Sequence, residues 1–358
     1  MNPLETKLAG FLLDNPLMPA SGPLVGDAKK MLYLQDLGCG ALVTKTISTK
    51  EPKIPHPCIY GDKEFVMNSE LWSEHSKETW LNEFLPELKA KKQGPLIISV
   101  GYSKEDMSVL IPLLDPFADM FEVSTHYVGK DLSVIQETVR EIRRHTKKPL
   151  YMKISPHIPS PEDFAKAVYE AGATGIVAVN SLGPTMKIDL NTRRIVYGSD
   201  SGFVWMSGPS IKPIALAVVH KIKSAVPEMS VIGVGGIKSA DDVLEFLLAG
   251  ADAVQMLSAA LIKGKDLYRK IIADLPQTLE KYGFSSIEEV KSTSLTNPVD
   301  YVGKVPTLIE DKCTKCMLCK NICPYHAISF EGKITFDPDL CFRCGLCISK
   351  CPTKAIQG

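Results

Sequence analysis

The chain has 358 residues, 45% of them apolar and 23% charged, which is too apolar for a disordered polypeptide and too long for one average domain. Its 41 basic residues cancel 41 acidic ones to a formal charge of zero, leaving no electrostatic footprint for nucleic acid or an anionic membrane surface. No apolar run approaches the roughly 20 residues of a membrane span, and the opening MNPLETKLAG lacks the basic region and apolar core of a secretory signal. A cytoplasmic protein is expected, with neither nucleic acid nor a membrane as partner.

Eight short β-rich runs read as strands: Pro16 to Ala20, Ala41 to Lys45, Leu96 to Val100, Met120 to Ser124, Leu150 to Ile154, Ile176 to Val179, Val231 to Val234 and Val254 to Leu257. Between them, DAKKMLYLQDLG, SVIQETVREIRRH, SPEDFAKAVYEAG, KPIALAVVHKIKSAV and SADDVLEFLLAG carry helical periodicity, several opened by Ser or Asp and closed by Gly. Such alternation implies an α/β fold of parallel strands with crossover helices. Eight units in about 285 residues fit a closed (β/α)8 TIM barrel, with an open doubly wound sheet as the competing arrangement. The G-x-G-x-x-G that follows the first strand in the open dinucleotide fold is absent here.

Active sites of such barrels lie at the C-terminal ends of the strands. Those positions hold Ala20-Ser21-Gly22, Lys45-Thr46, Ser124-Thr125-His126-Tyr127, Lys153, Asn180-Ser181, Gly235-Gly236 and Ser258-Ala259. The glycines of IGVGGI, next to a helix opened by Ser239, and the SAA turn after the eighth strand offer backbone N–H groups to a phosphate. Lys45 and Lys153 stand where an ammonium stabilises an anionic reduced ring. The competing view makes GVGGI a tight turn and the lysines members of ordinary ion pairs.

Residues 286–308 read as a linker between a barrel at 1–285 and a tail at 309–358. Eight of the ten cysteines fall in the last 46 residues, and the tail repeats itself with an offset of 28. Cys313, Cys316, Cys319, Cys323 and Pro324 map onto Cys341, Cys344, Cys347, Cys351 and Pro352. Each half reads C-x2-C-x2-C-x3-C-P, the spacing in which three thiolates hold one cubane and the fourth reaches across to the other. Cys313, Cys316, Cys319 and Cys351 are thus expected to hold one [4Fe–4S] cluster, and Cys341, Cys344, Cys347 and Cys323 the second. A zinc ribbon or a disulfide knot fits the triple hooks poorly. The tail resembles bacterial-type two-cluster ferredoxins over about 50 residues, which implies a small ferredoxin-like domain engaged in one-electron transfer. Of the two other thiols, Cys39 reads as a packed residue in a helix–strand turn, while Cys58, in IPHPCIY, has a weak claim to the barrel mouth.

Over residues 7–284 the chain resembles the FMN-containing barrel of dihydroorotate and dihydropyrimidine dehydrogenases, through LAGFLLDNPLMPASGP, VTKTIST, NSELWSE, FEVST, MKISP, VNS, SGPSIKPIAL, GVGGI and QMLSAA in that order. N-S-E-L-x-S-E and the ferredoxin tail bring it nearest the dihydropyrimidine branch. The resemblance implies FMN across the barrel mouth. The backbone of Ala20, Ser21 and Gly22 would lie against the ring, Lys45, Thr46 and Lys153 near its polar edge, and Gly208, Gly235, Gly236, Ser258 and Ala259 at its phosphate. It implies hydride exchange between flavin N5 and a C=C bond of a pyrimidine-like ring, coupled to proton exchange at the neighbouring carbon. Asn68, Asn180 and Ser181 occupy the family's substrate positions.

The chain departs from its relatives at strand four, where the family's E-L-N-L-S-C-P is replaced by Glu122-Val123-Ser124-Thr125-His126-Tyr127. The substrate Asn, the catalytic Cys and most of the glycine-rich loop are gone. His126 and Tyr127 are the candidate proton donors in their place. The loss leaves two alternatives open: a non-pyrimidine cyclic or enone substrate with the same cofactors, and an electron-transfer subunit without a substrate of its own. With no second nucleotide-binding domain in the sequence, electrons are expected to pass through the two clusters to or from a ferredoxin or a separate NAD(P)H-dependent flavoprotein subunit, and a homodimer or hetero-oligomer is compatible with the family.

Overall fold

The structure, a computed structural model, describes residues 2–197, 201–297 and 299–358. It divides into two compact units, Met1–Leu295 and Thr296–Gly358.

The first unit is a (β/α)8 barrel. Its strands are β1 (Leu17–Pro19), β2 (Leu42–Val43), β3 (Leu96–Val100), β4 (Met120–Ser124), β5 (Leu150–Ile154), β6 (Gly175–Ala178), β7 (Ser230–Val234) and β8 (Ala253–Met256). They pair in the order β1-β8-β7-β6-β5-β4-β3-β2, every pairing parallel. Between β1 and β2 the ring is spanned by Gly40 N–H, which donates to Leu17 O at 2.9 Å. Each strand overlaps a run read from the sequence, because short, wholly buried apolar stretches admit little else.

The helices start where the sequence places caps. Asp27, Ser160 and Ser239 accept from the backbone N–H three residues on, opening Ala28–Asp36, Pro161–Glu170 and Ala240–Leu248. Their apolar faces close over the outside of the sheet in one large core. The barrel interior is filled by Met18, Val43, Ile97, Met120, Tyr151, Val177 and Ile232. An antiparallel hairpin, Thr6–Leu8 with Phe11–Leu13, adds Leu8 and Leu13 to that interior.

Two features lie outside the sequence-based expectation. A four-stranded antiparallel sheet, Leu182–Thr185, Val204–Ser207, Val66–Asn68 and Ile59–Gly61, is assembled from two of the connections that follow barrel strands. The segment 286–308, read as a linker, begins with a capped helix, Ile287–Ser292, whose Ile287 and Val290 are buried in the barrel unit's core. Two apolar residues spaced by three supply the face that docks it.

The second unit holds two antiparallel pairs, Thr307–Leu308 with Ile356–Gln357 and Ile328–Phe330 with Ile334–Phe336, and two short helices, Leu318–Asn321 and Leu346–Lys350. Its small core is Ile328, Ile334, Cys347 and Ile356. The duplication seen in the sequence is present in the backbone. Lys315, Met317 and His326 have left-handed φ of 56°, 60° and 53°, and Arg343, Gly345 and Lys354, each 28 residues on, have 62°, 77° and 52°. Among the described residues no helix is long and apolar enough to cross a membrane.

Candidate functional site

The C-terminal ends of the barrel strands open onto a cavity of about 650 Å3, a size typical of small-molecule and cofactor sites. The structure brings almost all the residues expected there to its lining. Ala20, Ser21 and Gly22 follow β1, Lys45 and Thr46 follow β2, Lys153 lies in β5, Asn180 and Ser181 follow β6, Gly235 and Gly236 follow β7, and Ser258 and Ala259 follow β8. Asn68 and Gly208 come to it from the antiparallel sheet, and His126 from the segment after β4. Ser124, at the position of the family's substrate Asn, lines it as well.

The two lysines are held by carboxylates. Lys45 Nζ lies 2.6 Å from Glu70 Oε1 and 2.9 Å from Glu74 Oε2. Lys153 Nζ lies 3.0 Å from Oε1 of the fully buried Glu122, whose other oxygen accepts from Gln255 Nε2 at 2.7 Å. The remaining atom of that side chain, Gln255 Oε1, is buried without a hydrogen-bond partner among the described residues, and Gln255 lines the cavity. A buried amide oxygen left unpaired costs roughly 1–3 kcal/mol, so a bound N–H donor is the natural complement. Sequence reasoning missed Glu70, Glu74, Glu122 and Gln255. The signal was present: Glu122, Lys153 and Gln255 are polar residues in the middle of otherwise apolar, wholly buried strands.

At the other side of the lining the backbone takes over. Gly208, Gly235 and Gly236 have φ of 101°, 123° and 92°, the left-handed range that favours glycine. A Cβ on Gly236 would stand 2.6 Å from Lys212 Cβ. The N–H groups of Gly235 and Gly236 have no protein acceptor among the described residues, and the Ser207 and Ser258 hydroxyls lie 2.7 Å apart beside them in the lining. Bare N–H groups and hydroxyls in a glycine turn suit a phosphate. Together with an amide oxygen awaiting a donor, they fit a flavin mononucleotide, whose ring carries one N–H and whose tail ends in phosphate.

The asparagines are partly committed. Asn68 Oδ1 accepts from Glu70 N–H at 2.5 Å, and Asn180 Oδ1 accepts from Ser181 N–H at 2.8 Å. These turns hold the oxygens; Asn68 Nδ2 also donates to Glu70 Oε2 at 3.5 Å, which leaves its second N–H and the Nδ2 group of Asn180 as the donors on offer. His157, a further lining residue, accepts at Nε2 from Gly183 N–H at 3.0 Å.

The two proton-donor candidates part company. His126 has φ of 51° and lines the cavity, its ring within 6.0 Å of Trp72 and 6.5 Å of Tyr102 between centroids. Its open surface faces the cavity, and the crowding there, followed by the Lys153 charge, lowers its pKa below the ordinary histidine value. Tyr127 is not in the lining: its hydroxyl donates to Asp131 O and its ring packs on the outer core. The left-handed turn at His126 sends one side chain inward and the next outward, so the expectation for Tyr127 is withdrawn. Neither spare cysteine lines the cavity. Burial pushes the Cys39 thiol up to about 12, and burial and then the Glu70 charge raise that of Cys58.

In the second unit all eight tail cysteines are free thiols. They gather around two small cavities, one lined by Cys313, Cys316, Cys319 and Cys351, the other by Cys323, Cys341, Cys344 and Cys347. Among the described residues no three Cys, His, Asp or Glu converge on a point that would hold a single ion. Four thiols spread around a cavity, with left-handed turns at Lys315, Met317, Arg343 and Gly345 that aim successive N–H groups to one side, make the donor set and concave backbone that a cubane takes.

The dihydroorotate dehydrogenase family profile matches residues 3–279, and a 4Fe-4S dicluster domain profile matches residues 312–355. A dihydroorotate dehydrogenase B (NAD(+)) catalytic subunit of Pyrococcus horikoshii is 32% identical over 304 residues, covering 82% of this chain and 98% of its own. The same subunits of Methanothermobacter thermautotrophicus and Listeria monocytogenes are 31% and 32% identical, covering 80% and 81% of this chain and 97% and 98% of their own. The chain therefore belongs to the dihydroorotate dehydrogenase family, as an FMN enzyme among the oxidoreductases acting on CH–CH groups, and carries a 4Fe–4S domain after its barrel.

Proposed function

We propose that the chain exchanges reducing equivalents with the C=C bond of an uncharged pyrimidine-like ring and relays electrons through two [4Fe–4S] clusters to a separate redox partner. The observation that carries this reading is the charge balance at the cavity wall, where the two lining lysines are paired with three carboxylates, Glu70 in the lining and Glu74 and Glu122 behind it. A ring carboxylate would add a fourth negative charge around cations that already have partners, a repulsion that a neutral amide-edged ring avoids. FMN supplies hydride exchange at its N5 and the clusters supply one-electron transfer. Lys45 and Lys153 would hold the flavin's polar edge, and Thr46 and the Ala20–Gly22 backbone its flank. Gly208, Gly235, Gly236, Ser258 and Ala259 would hold its phosphate. The Nδ2 groups of Asn68 and Asn180, with the Ser181 hydroxyl, would donate to the carbonyl oxygens of the substrate.

The lining contains no cysteine, so proton exchange falls to His126. With its pKa below the ordinary value it is neutral at pH 7 and acts as the base that removes a proton from the dihydro form. Oxidation is then expected to require the unprotonated ring. kcat/KM should fall as pH drops through a group titrating below about 6.5, and His126→Asn should abolish that limb while lowering kcat/KM about 100-fold. An unchanged limb in the variant would remove His126 from the mechanism.

The relatives described above are catalytic subunits of a NAD(+) enzyme, which supports a partner that handles the nucleotide, a flavoprotein subunit or a ferredoxin. The direct test is anaerobic titration of the reconstituted holoenzyme, its flavin photoreduced beforehand for uracil and thymine and left oxidised for dihydroorotate, read from the flavin absorbance. Uracil or thymine is expected to exchange electrons, dihydroorotate is not, and the isolated chain is not expected to oxidise NADH rapidly. Silence with all three rings overturns the reading. The missing cysteine favours one second reading, a non-pyrimidine cyclic or enone substrate, which the same titration extended to cyclohexenone distinguishes.

A further inference from the structure

The mouth of the cavity is lined with rings that neither the flavin nor a small pyrimidine requires. Trp72 and Tyr102 lie 4.8 Å apart between centroids, tilted by 35°, and His126 completes an arc with them. Trp205 lines the same cavity from the antiparallel sheet, so close over Gly183 that an added Cβ there would stand 2.7 Å from Trp205 Cδ1. The four rings come from four different connections, so the packing of no single element explains them. Trp72 is half-buried and the other three are left open. Tyr102 is 45% and Trp205 40% exposed, and their apolar neighbours in the lining, Leu71 and Val128, are 47% and 51% exposed.

Aromatic side chains ordinarily gain by burial, and a contiguous open apolar rim around a cavity marks a ligand contact. The rim bears no charge of its own, since His126 is neutral and the charged lining residues Lys45, Lys153 and Glu70 are bound to one another or to Glu74 and Glu122. We propose that this arc is a substrate subsite that holds an uncharged aromatic group projecting outward from the ring that reacts in the cavity. The subsite rests on the function proposed above in placing the reacting ring at the strand ends, and it names the substrate class more narrowly: a flat heterocycle or conjugated lactone bearing or fused to an aryl group. Stacking on Trp72 and Tyr102 would supply its affinity.

The test titrates the FMN-loaded holoenzyme with two probe pairs, uracil against 6-benzyluracil and 2-pyranone against coumarin, read from the flavin absorbance. Each aryl probe is expected to bind at least about ten-fold tighter than its parent ring. Trp72→Ala and Tyr102→Ala are expected to bring that ratio to about one, while Trp72→Phe keeps it. Because the readout is a ratio within one protein, altered flavin content does not disturb it, and Trp205→Ala gives a second route should Trp72→Ala fail to fold. A ratio near one in the unmodified enzyme, no binding of either aryl probe, or a ratio untouched by every alanine variant overturns the subsite. Binding of coumarin over 2-pyranone with both uracils silent removes the pyrimidine reading and leaves the subsite standing. Tight uracil binding with no aryl gain does the reverse.

Discussion

Replacing Cys351 with serine is expected to remove the cluster held by the first cysteine hook, 32 residues or more away in sequence, and to spare the cluster of the hook beside it. Cys351 lines the cavity of Cys313, Cys316 and Cys319, while Cys323 lines that of Cys341, Cys344 and Cys347. The local structure explains the exchange. The helix Leu318–Asn321 begins just before Cys319 and carries the chain, and with it Cys323, away from its own hook, and Leu346–Lys350 does the same for Cys351. Thiolate ligation holds the cubane at every iron, so one lost ligand is expected to lower the iron content from about eight to about four per chain. Cys313→Ser and Cys351→Ser should leave the same residual electron paramagnetic resonance spectrum, and Cys323→Ser should leave the other. The crossover assignment falls if Cys351→Ser instead matches Cys341→Ser. Cys351 Sγ also accepts from Ala355 N–H at 3.2 Å, a contact of the kind that tunes cluster potential.

The grouping of the tail thiols around two cavities was legible because ligand spacing is a local property of sequence, and so were the barrel strands. Runs such as LIISV and LYMKI are buried along their whole length, and little but a parallel strand accommodates them. What was illegible depended on which residues meet across the barrel. Lys45 and Glu74 are separated by 29 residues, Lys153 and Glu122 by 31, and Glu122 and Gln255 by 133, so the ion pairs kept as the competing reading of the two lysines had no nameable partners in the sequence. The antiparallel sheet was missed because its strands are short and interrupted by Gly183 and Pro184, the residues that ordinarily signal a loop. Tyr127 failed for a smaller reason: one left-handed residue at His126 decided which of two adjacent side chains faces the cavity.

Glu122→Ala is expected to be among the most destabilising single changes in the barrel. Glu122 is fully exposed to protein and not at all to water, and it takes up both the Lys153 ammonium and the Gln255 amide. Its removal leaves a lysine whose side chain is only 6% exposed without a counter-charge, and the amide nitrogen of Gln255, like its oxygen, without a partner. Breaking a buried pair from one side costs about 3–5 kcal/mol, about a fifth or more of the 5–15 kcal/mol that holds a typical domain together. Glu122→Gln should recover little of this, since it restores shape and a hydrogen bond but not charge. The double variant Glu122→Gln with Lys153→Met removes both charges and is expected to return to within about 1–2 kcal/mol of the parent. Urea unfolding of the flavin-free chain measures all three. A double variant as unstable as Glu122→Ala would mean that the uncompensated Lys153 charge is not what destabilises the single variant. Recovery of stability with loss of FMN would separate the two duties of Lys153: the buried pair stabilises the barrel when Glu122 is present, and the ammonium that Glu122 orients serves the flavin.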